Sequence, residues 1–545
     1  MSGSLLLKSF DLLAAAPGGV ARLRELILTL AVKGRLVQQD ARDEPAGILL
    51  DKMRKEKASL IASGILKKDK PVAEIDDDEK PFALPIGWEW ARLPAVTYTH
   101  GQDTPSGKFT YIDVGAIDNL RGRITDSVQV IEAADAPSRA RKNVALGTVL
   151  YSTIRPYLKN IAVLDVQYSP PAIASTAFAV MHPHGGLLSK YLLHYLRSAP
   201  FTEFVTGKAV GIAYPAINDA NFFQGVIALP PSAEQSRIVA RVEELMKFCD
   251  SLEQNGRLAD EQHARLTTTL FGALAASESA HVLAENWERV AESFDLLLDR
   301  PEAVEALEQT ITQLAVRGLL STQSPRDVPV SIGDREQSIS EIPATWSRIA
   351  LEDVLLELRY GTSVKCGYEV KGKPVLRIPN LKGGAVDTAD LKFGVLDERE
   401  MVKLRLKKGD ILVIRSNGSA SLVGSTAIVD AESEGFAFAG YLMRLRLRRE
   451  FIEPSYLVLV MQTLEIRSQI EAPIRTTSGV KNINSTEVSR LAFSLPPLAE
   501  QSRILFQVAF LRRTCTDLRQ QLAAARQRQS QLAQALVEQQ SVATI

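Results

Sequence analysis

Residues 229–238 read LPPSAEQSRI and residues 495–504 read LPPLAEQSRI, so nine of ten positions agree at an offset of 266. Agreement of this extent indicates that part of the chain is duplicated. The same offset continues into the residues that follow, where it pairs Val242 with Val508, Leu245 with Leu511, Cys249 with Cys515 and Leu252 with Leu518. The cysteines are therefore predicted to be matched apolar positions of a repeated helix, and not a disulfide or a zinc site.

A second block is repeated near the start of each half. FDLLAAAPGGVARLRELILTLAVKGRL begins at Phe10, and FDLLLDRPEAVEALEQTITQLAVRGLL begins at Phe294, at an offset of 284. A weaker match aligns residues 85–88 with residues 343–346, where each copy has a proline and a tryptophan. The order of helical block, mixed segment and PP-AEQ helix thus occurs twice. Such a tandem duplication predicts two halves of like fold, related by a rough two-fold axis.

Each PP-AEQ motif predicts the start of a long helix. The prolines cannot lie inside a helix, Ser232 is the predicted N-cap, and Glu234 and Gln235 fall in the first turn. Apolar residues then recur in three- and four-residue steps over about 35 residues, or roughly 50 Å. Because a long one-sided helix needs a partner, we expect it to pack against the matching helix. The stripe consists of Ile238, Val242, Leu245, Phe248, Cys249, Leu252, Leu258, Leu266 and Leu270.

Shorter helices are predicted over residues 17–32 and 301–316, which start at a proline and stop before a glycine. Another is predicted between residues 44 and 66, followed by a charged, extended connector. The mixed segments contain short β-branched or aromatic runs and predict one compact α/β domain each. The predicted divisions are a helical region with connector (1–84), a first α/β domain (85–230), a central helical region (231–342), a second α/β domain (343–496) and a C-terminal helix (497–545).

Composition sets broad limits on function. The chain has 545 residues, enough for three or four folded domains at about 150 residues each. Lys plus Arg and Asp plus Glu both number 64, so any nucleic-acid binding must depend on local patches. No run approaches the roughly 18 apolar residues of a membrane span, and Lys8 and Asp11 interrupt the start where a signal peptide would be apolar. We therefore expect a cytoplasmic protein without membrane association.

Signatures of catalysis are missing from the sequence. It has no Asn/Asp-Pro-Pro-Tyr/Phe loop for methyl transfer to a base, no GxxxxGK[ST] phosphate loop and no GxGxxG after a strand. Glu369 and Lys371 could form half of a nuclease motif, although a solvated turn is favoured. His182 and His184 could be a metal pair, but without nearby carboxylates or thiols a loop after a strand is the favoured reading.

Arginine, lysine, asparagine and tyrosine side chains concentrate in the turns of the two mixed segments. Arginine can make bidentate contacts to guanine and asparagine to adenine, whereas lysine and serine suit phosphates. In the first segment these residues are Lys108, Tyr111, Arg121, Arg123, Arg139, Arg141, Lys142, Arg155, Tyr157, Lys159, Lys208, Tyr214 and Asn218. In the second they are Lys365, Lys371, Lys373, Arg377, Asn380, Lys382, Arg415, Asn417, Ser478, Lys481, Asn482 and Asn484. Solvated turns are the alternative, but two such clusters in a duplicated frame favour DNA binding.

The paired LPP-AEQSRI helices, the paired FDLL…LAV-G blocks and the variable segments between them resemble the specificity subunit of type I restriction-modification enzymes over nearly the whole chain. The resemblance implies an α/β (α+β) fold, with two α/β target recognition domains separated by long antiparallel helices in a pseudo-two-fold internal repeat. Each domain would read half of a split double-stranded DNA target. The helical regions would bind two methylation (M) subunits, through which restriction (R) subunits join. This chain would be non-catalytic and hold no cofactor, with S-adenosylmethionine, ATP and Mg expected in the partner subunits.

Particular stretches carry this resemblance. In the second domain they are KPVLRIPNLKGG from Lys373, KKGDILVIRSNGS from Lys407 and TTSGVKNINSTEV from Thr476. In the first domain FTYIDVGAIDNLRGRI from Phe109 and LGTVLYSTIRPYLKN from Leu146 match more loosely. GIAYPAIN takes the place of the GVKNIN loop, with Tyr214 and Pro215 where the loop of the second copy carries basic and amide residues. Because the two domains differ so much, the resemblance implies unlike half-sites and an asymmetric target.

Other functions remain open at this point. A tandem scaffold whose α/β domains bind proteins, without DNA contact, would also explain the duplication. A free-standing metal-dependent nuclease that uses Glu369 and Lys371 is a more distant alternative. Within the resembled family, an orphan subunit that serves methylation without restriction is a further possibility.

Overall fold

The computed structural model describes residues 13–14, 16–67, 72–211, 213–332, 342–473, 475–477 and 480–542. The chain forms two compact units: the first unit comprises Met1–Leu258 with Arg526–Ile545, and the second unit comprises Ala259–Ala525. Both boundaries fall inside the long helices that follow the repeated motifs. Each unit thus contains one helical block and one sheet-forming segment. Among the described helices, none is both long and apolar enough to cross a membrane.

The predicted short helices of the first unit are present. Its first helix begins at Gly19, two residues after the predicted proline start, because Gly18 has a left-handed φ of 70° that turns the chain. The helix ends just before Gly34, which is also left-handed. The helices are α1 (Gly19–Val32), α2 (Ala46–Ala62), α3 (Leu93–Val96), α4 (Ser189–Arg197), α5 (Ala199–Lys208), α6 (Asp219–Phe222) and the first part of α7 (Ser232–Ala275).

The sheets of the first unit are mostly antiparallel. The strands are β1 (Glu89–Arg92), β2 (Thr97–Tyr98), β3 (Phe109–Ile112), β4 (Ile117–Asp118), β5 (Arg123–Ile124), β6 (Gln129–Ile131), β7 (Ala140–Asn143), β8 (Val149–Ser152), β9 (Ile161–Val163), β10 (Ala172–Ser175), β11 (Phe178–Pro183) and β12 (Val226–Leu229). The strand orders are β1-β12, β6-β3-β10-β7 and β2-β11-β8-β9-β5-β4. β8, with all four residues buried, is a central strand of the largest sheet.

The second unit repeats the order of helices. The predicted helix over residues 301–316 has those bounds, because proline occupies its first position and the left-handed Gly318 follows its end. The apolar run from Tyr456 is divided between two helices, since Thr463 caps the second. The helices are α8 (Ala280–Glu292), α9 (Phe294–Leu297), α10 (Pro301–Val316), α11 (Glu398–Leu404), α12 (Pro454–Met461), α13 (Leu464–Glu471), α14 (Ser485–Ser489) and α15 (Leu498–Val542).

The sheets of the second unit match the predicted strand runs. The strands are β13 (Ser347–Ala350), β14 (Leu355–Tyr360), β15 (Lys373–Leu376), β16 (Leu381–Lys382), β17 (Ala385–Val386), β18 (Lys392–Gly394), β19 (Ile411–Ile414), β20 (Ser416–Asn417), β21 (Thr426–Ile428), β22 (Ala437–Phe438), β23 (Leu442–Leu447), β24 (Arg475–Thr477), β25 (Val480–Asn482) and β26 (Ala492–Leu495). The orders are β13-β26, β14-β23-β19-β21-β17-β16, β18-β15-β22 and β20-β25-β24. The buried strand β19 corresponds to β8 of the first unit.

The long helices exceed the predicted length. α7 has 44 residues and α15 has 45, against the expected 35 or so. Ser232 is the first helical residue of α7, so the prediction that it forms the N-cap is wrong. The apolar stripe is also discontinuous, since Leu258 and Leu266 are 51% and 39% exposed. The buried side chains of α7 are concentrated toward its two ends.

The cores of both units contain residues from both long helices. In the first unit, Leu245 and Cys249 of early α7 share a core with Ala533 of late α15. In the second unit, Phe271 of late α7 shares a core with Cys515 of early α15. The beginning of each long helix thus lies with the end of the other, as antiparallel pairing requires. The repeated cysteines are buried, as the sequence predicted, and burial raises the pKa of Cys249 to about 11.

A buried hydrogen bond connects each PP-AEQ helix to the strand segment of its own unit. Trp88 Nε1 donates to Glu234 Oε2 over 3.0 Å, and Trp346 Nε1 donates to Glu500 Oε2 over 2.8 Å. Burial raises the pKa of Glu234, although the indole hydrogen bond acts in the opposite direction. The acidic residue of each motif therefore lies in the first turn as predicted, but its carboxylate is an internal acceptor.

The glutamine of each motif is fully buried and also has matching bonds. Each glutamine side chain donates to the carbonyl oxygen of the first proline in its motif, over 3.1 Å for Gln235 and 2.8 Å for Gln501. Each also accepts from a backbone N–H ahead of a helix, Leu188 N for Gln235 and Glu453 N for Gln501, over 2.9 and 2.8 Å. The repeated residues therefore fasten the sheet segment to the long helix in both units.

One ion pair between a short helix and the long helix occurs at matched positions of both units, but with the positive and negative residues reversed. In the first unit Arg24 of α1 lies 3.1 Å from Glu253 of α7. At the offsets of 284 and 266, the counterparts are Glu308 of α10 and Arg519 of α15, which lie 2.6 Å apart. Each helical block is thus complementary in charge to the long helix of its own unit.

The tryptophan bond gives a stability prediction for the two motifs. We expect Trp88→Phe to lower the free energy of unfolding by about 1–3 kcal/mol, because a buried acceptor loses a donor. Trp346→Phe should lower the free energy of unfolding by less, because Glu500 also accepts from Ser321 Oγ over 2.8 Å. In the first unit, the position that corresponds to Ser321 is occupied by Val37, which cannot donate. Urea unfolding of the full chain, followed by circular dichroism, compares the variants. Equal losses would contradict this assignment, since both substitutions remove the same volume.

Candidate nucleic-acid interface

Each unit carries a loop cluster at the end of its buried central strand. In the first unit, Ile217 N donates to Thr153 O over 2.9 Å, directly after β8. In the second unit, Ile483 N donates to Arg415 O over 2.9 Å, directly after β19. The GIAYPAIN and GVKNIN stretches thus occupy matching places. We define the first loop cluster as residues 153–159 with 213–218, and the second as residues 415–417 with 480–484.

A capped helix follows each loop. Asn218 Oδ1 accepts from Asn221 N over 2.8 Å at the start of α6, and Asn484 Oδ1 accepts from Glu487 N over 2.9 Å at the start of α14. These two asparagines were predicted to contact DNA. Their carbonyl oxygens serve as N-caps, which orders the loop between the strand end and the helix.

The first loop cluster brings together three of the predicted residues. Arg155 N donates to Pro215 O over 2.7 Å, and the Arg155 guanidinium carbon lies 4.6 Å from the ring centre of Tyr214. Arg155 and Lys159 flank the short helical turn Pro156–Leu158 and both have left-handed backbones, with φ of 48° and 53°. Lys159 Nζ lies 3.5 Å from Glu25 Oε1. The left-handed conformation is costly for residues with a side chain, by about 1–2 kcal/mol each.

The second loop cluster brings together four predicted residues. β20 pairs with β25, which places Asn417 opposite Lys481 and Ser416 opposite Asn482. Asn417 Oδ1 accepts from Ser419 N over 2.9 Å, so its carbonyl orders a turn. The Arg415 guanidinium carbon lies 4.7 Å from the ring centre of Tyr360. The predicted residue Ser478 lies outside the described residues.

Other predicted residues of the first unit lie outside its loop cluster. Lys142 is buried, and its ammonium donates to Phe178 O and to Asp219 Oδ2 over 2.6 and 2.8 Å. Lys108 pairs with Glu132 over 3.2 Å. The remaining residues outside the cluster are Arg121 and Arg123, both paired with Asp118; Arg139 and Lys208, which are exposed; Arg141, bonded to Thr104 and Ser138 O; and Tyr111, which is buried. Tyr157 lies within the cluster and is exposed.

In the second unit Asn380 is 1% exposed, and its side chain donates to the carbonyl oxygens of Asp387 and Asp390, so burial contradicts the prediction that it contacts DNA. Arg377 pairs with Asp390 over 3.1 Å. Lys382 pairs with Asp387 over 2.6 Å and holds the pKa of that carboxyl below its usual range. Lys365, Lys371 and Lys373 are exposed.

The sequence did not identify Tyr360 as part of a site. This tyrosine ends β14, and its hydroxyl accepts from Ser485 N over 2.7 Å while its ring faces Arg415. Gly361 follows it, where a Cβ atom would lie 2.3 Å from the carbonyl oxygens of Phe438 and Ala439. A tyrosine before a glycine that admits a close backbone approach is the sequence signal for such a site.

The two predicted histidines belong to an aromatic cluster in the first unit. His182 lies at the end of β11, 4.7 Å between ring centres from His100, and Tyr98 contacts both His182 and His184. His184 is buried, with Nδ1 3.6 Å from a carboxylate oxygen of Glu56. Within the described residues, no three His, Cys, Asp or Glu side chains are arranged to hold a metal. The expected position in a loop after a strand holds for His184, but it is wrong for His182, which lies within β11 opposite Tyr98.

This cluster gives a pH prediction. Burial lowers the pKa of His182 from 6.5 to about 4, and its histidine neighbours act in the same direction. The unfolded chain therefore binds more protons than the folded chain between these values, so stability is lost as the pH falls from about 6.5 to about 4. Urea unfolding across this range should show a smaller loss for His182→Gln. His281→Gln, at an exposed histidine, serves as the control and should follow the unchanged chain.

The caps give a second prediction for this region. Asn484→Ala should lower the free energy of unfolding by about 1 kcal/mol, because Glu487 N loses its acceptor. Asn484→Ser should retain most of that stability, since a serine hydroxyl also caps a helix. Urea unfolding monitored by circular dichroism measures both. If serine proved as destabilising as alanine, the cap would not be the role of this side chain.

Comparisons with known proteins agree with this arrangement. The model of the "Type I restriction modification DNA specificity domain" matches residues 343–525. The specificity subunits of the type I restriction enzymes EcoEI and EcoAI from Escherichia coli are 28% and 29% identical to the chain. Each alignment covers 95% of this chain and 93% of the relative.

A solved structure supports the fold. A chain from work described as "Structural basis underlying complex assembly and conformational transition of the type I R-M system" is 24% identical, with a TM-score of 0.55. The match covers 85% of this chain and all of that chain. The duplicated frame, the family model and the relatives aligned along almost the full length agree. The chain is similar to the specificity subunits of type I restriction-modification enzymes along almost its full length.

Proposed function

We propose that this chain binds double-stranded DNA sequence-specifically and reads a split, asymmetric target, with one loop cluster for each half-site. The observation that carries this proposal is that both clusters are built on one hydrogen-bonded frame but present different side chains. The shared frame is the strand end, the returning loop and the capped helix. A fixed frame with variable loops is the arrangement expected of a protein that varies its target without changing its fold.

The difference between the clusters supports an asymmetric target. The first cluster presents Arg155, Lys159 and Tyr214, whereas the second presents Arg415 and Asn417 beside two further polar residues on β25. Arginine and asparagine differ in the base edges with which they form two hydrogen bonds. Unlike side chains in matching places therefore favour unlike half-sites.

Phosphate contacts are assigned to exposed cations with no ion pair among the described residues. Arg139 in the first unit and Lys365 and Lys373 in the second meet this condition. Phosphate neutralisation supplies affinity without sequence preference and makes it depend on salt. Lys142 and Asn380 are excluded from DNA contact, because burial commits both side chains to the fold.

The chemistry of the system is assigned to partner subunits. We propose that two methylation subunits bind the matching helical blocks, α1 with α7 and α10 with α15, and that restriction subunits join through them. S-adenosylmethionine, ATP and Mg would then be held by those subunits, and this chain would direct methylation and restriction without catalysing either. The repetition of the helical blocks supports two equivalent binding surfaces. We place this function in the cytoplasm, where the DNA target is accessible.

Salt dependence tests DNA binding by the complex of this chain with its methylation subunits. We expect log Kd to vary linearly with log salt, and the Lys365→Gln/Lys373→Gln variant to reduce the slope by about 0.9 per lost phosphate contact for all sequences alike. Fluorescence anisotropy with labelled duplexes measures this. Lys52→Gln, which removes an exposed lysine paired with Glu44 on α2, is the matched control. DNA retention without a salt slope would favour a protein scaffold instead.

A further inference from the structure

Two arginines differ from the other basic candidates in how they are held. Many of the others, such as Arg121, Arg377 and Lys382, lie beside carboxylates. No described carboxylate lies within ion-pairing distance of Arg155 or Arg415. Each has its guanidinium against a tyrosine ring instead, at 4.6 and 4.7 Å. An aromatic face holds a guanidinium without neutralising it, so the charge stays available to a ligand.

The two arginines also share an unsatisfied nitrogen. Nε of both Arg155 and Arg415 is buried and has no hydrogen-bond acceptor among the described residues. One terminal nitrogen of Arg415 makes a 3.3 Å bond to Gly440 O, while no described residue accepts from the Arg155 guanidinium. Nε is also buried without an acceptor in Arg197, Arg237, Arg377, Arg444 and Arg503, so this feature is shared with other arginines and does not by itself mark a DNA contact. The donors of a guanidinium lie in its plane, so stacking on one face leaves its edges free to bond.

The guanidinium groups of Arg155 and Arg415 are oriented by different contacts. In the first unit, the left-handed backbone of Arg155 and its 2.7 Å bond to Pro215 O set the direction of the side chain toward Tyr214 on the facing loop. In the second unit, the ring comes from the end of β14, and the bond from Ser485 N to the Tyr360 hydroxyl fixes it. Backbone strain that is maintained at a ligand-facing turn is a recurrent feature of binding sites.

We propose that Arg155 and Arg415 each read a guanine, one in each half-site, through its O6 and N7 atoms in the major groove. Tyr214 and Tyr360 are the positioning residues that hold the two guanidinium groups flat and oriented. This inference rests on the proposed DNA-binding function. The planar guanidinium fork suits the two acceptors of guanine, and it can also bind phosphate with two hydrogen bonds. A guanine contact changes the preference at one base position, whereas a phosphate contact changes affinity for all sequences alike.

The test uses the assembled complex of this chain with its methylation subunits and a pool of randomised duplexes. The bound pool is sequenced to define both half-sites of the unchanged protein. Arg415→Gln should then reduce the preference for guanine at one position of one half-site by about 5- to 150-fold, the range of a bidentate base contact. Arg155→Gln should do the same in the other half-site. All other positions should keep their preferences.

Three further variants keep the test decisive if glutamine impairs folding. Arg415→Lys keeps the charge but lacks the fork, so overall affinity should remain while the guanine preference falls. Tyr360→Leu should lower the preference for guanine at the same base position as Arg415→Gln does. Tyr360→Phe, which keeps the ring, should retain part of that preference. A merely structural tyrosine would affect all positions equally. Arg54→Gln, at an exposed arginine of α2, is the control and should leave the motif unchanged.

The outcomes separate the two proposals. If the unchanged complex selects no sequence from the pool, the DNA-reading function itself fails. If it selects a split motif that Arg415→Gln and Arg155→Gln leave intact, only the guanine assignment fails. Weaker binding to every sequence alike would show that the arginines contact phosphate, and would also overturn the assignment.

Discussion

The fold of each unit depends on a carboxylate buried at the first turn of a long helix. The glutamate of the PP-AEQ motif is 2% exposed in one unit and fully buried in the other, and a tryptophan from the strand segment donates to it. A buried carboxylate is stable only with its hydrogen-bond donors in place. The bond thus ties the helix, the strand segment and the glycine-ended helical block, whose glycine lies against the same tryptophan ring, into one arrangement.

This frame separates stability from specificity within each unit. The buried motif residues bond to the tryptophan and to the residue ahead of α4 or α12, while the returning loop is held at the strand end by the backbone bond of Ile217 or Ile483. The second cluster carries a lysine and an asparagine where the first carries a proline and an alanine, yet Ile217 and Ile483 make the same backbone bond. Loop residues can therefore change without loss of the frame, as the proposed reading of two unlike half-sites requires.

The sequence predicted those features that depend on local chemistry or on repetition. The bounds of α10 follow from a proline at its start and a glycine after its end, and the duplication located both loops. Contacts between distant residues were not predictable in the same way. Glu234 was placed in the first turn, but its donor lies 146 positions earlier in the chain. Tyr360 escaped notice because its partner Arg415 lies on another strand, and Lys142 and Asn380 were misjudged because composition does not reveal burial.

The exchanged charges of Arg24 with Glu253 and of Glu308 with Arg519 bear on how such genes can recombine. A crossover that replaced α1 by α10 would set a glutamate against a glutamate, and one that replaced α10 by α1 would set two arginines together. A pair of like charges at these partly exposed positions costs only about a few tenths of a kcal/mol. This cost nevertheless disfavours any hybrid chain that combines a short helix with the long helix of the other unit. Inheritance of a helical block together with its own long helix avoids the conflict, so whole halves are the natural units of shuffling.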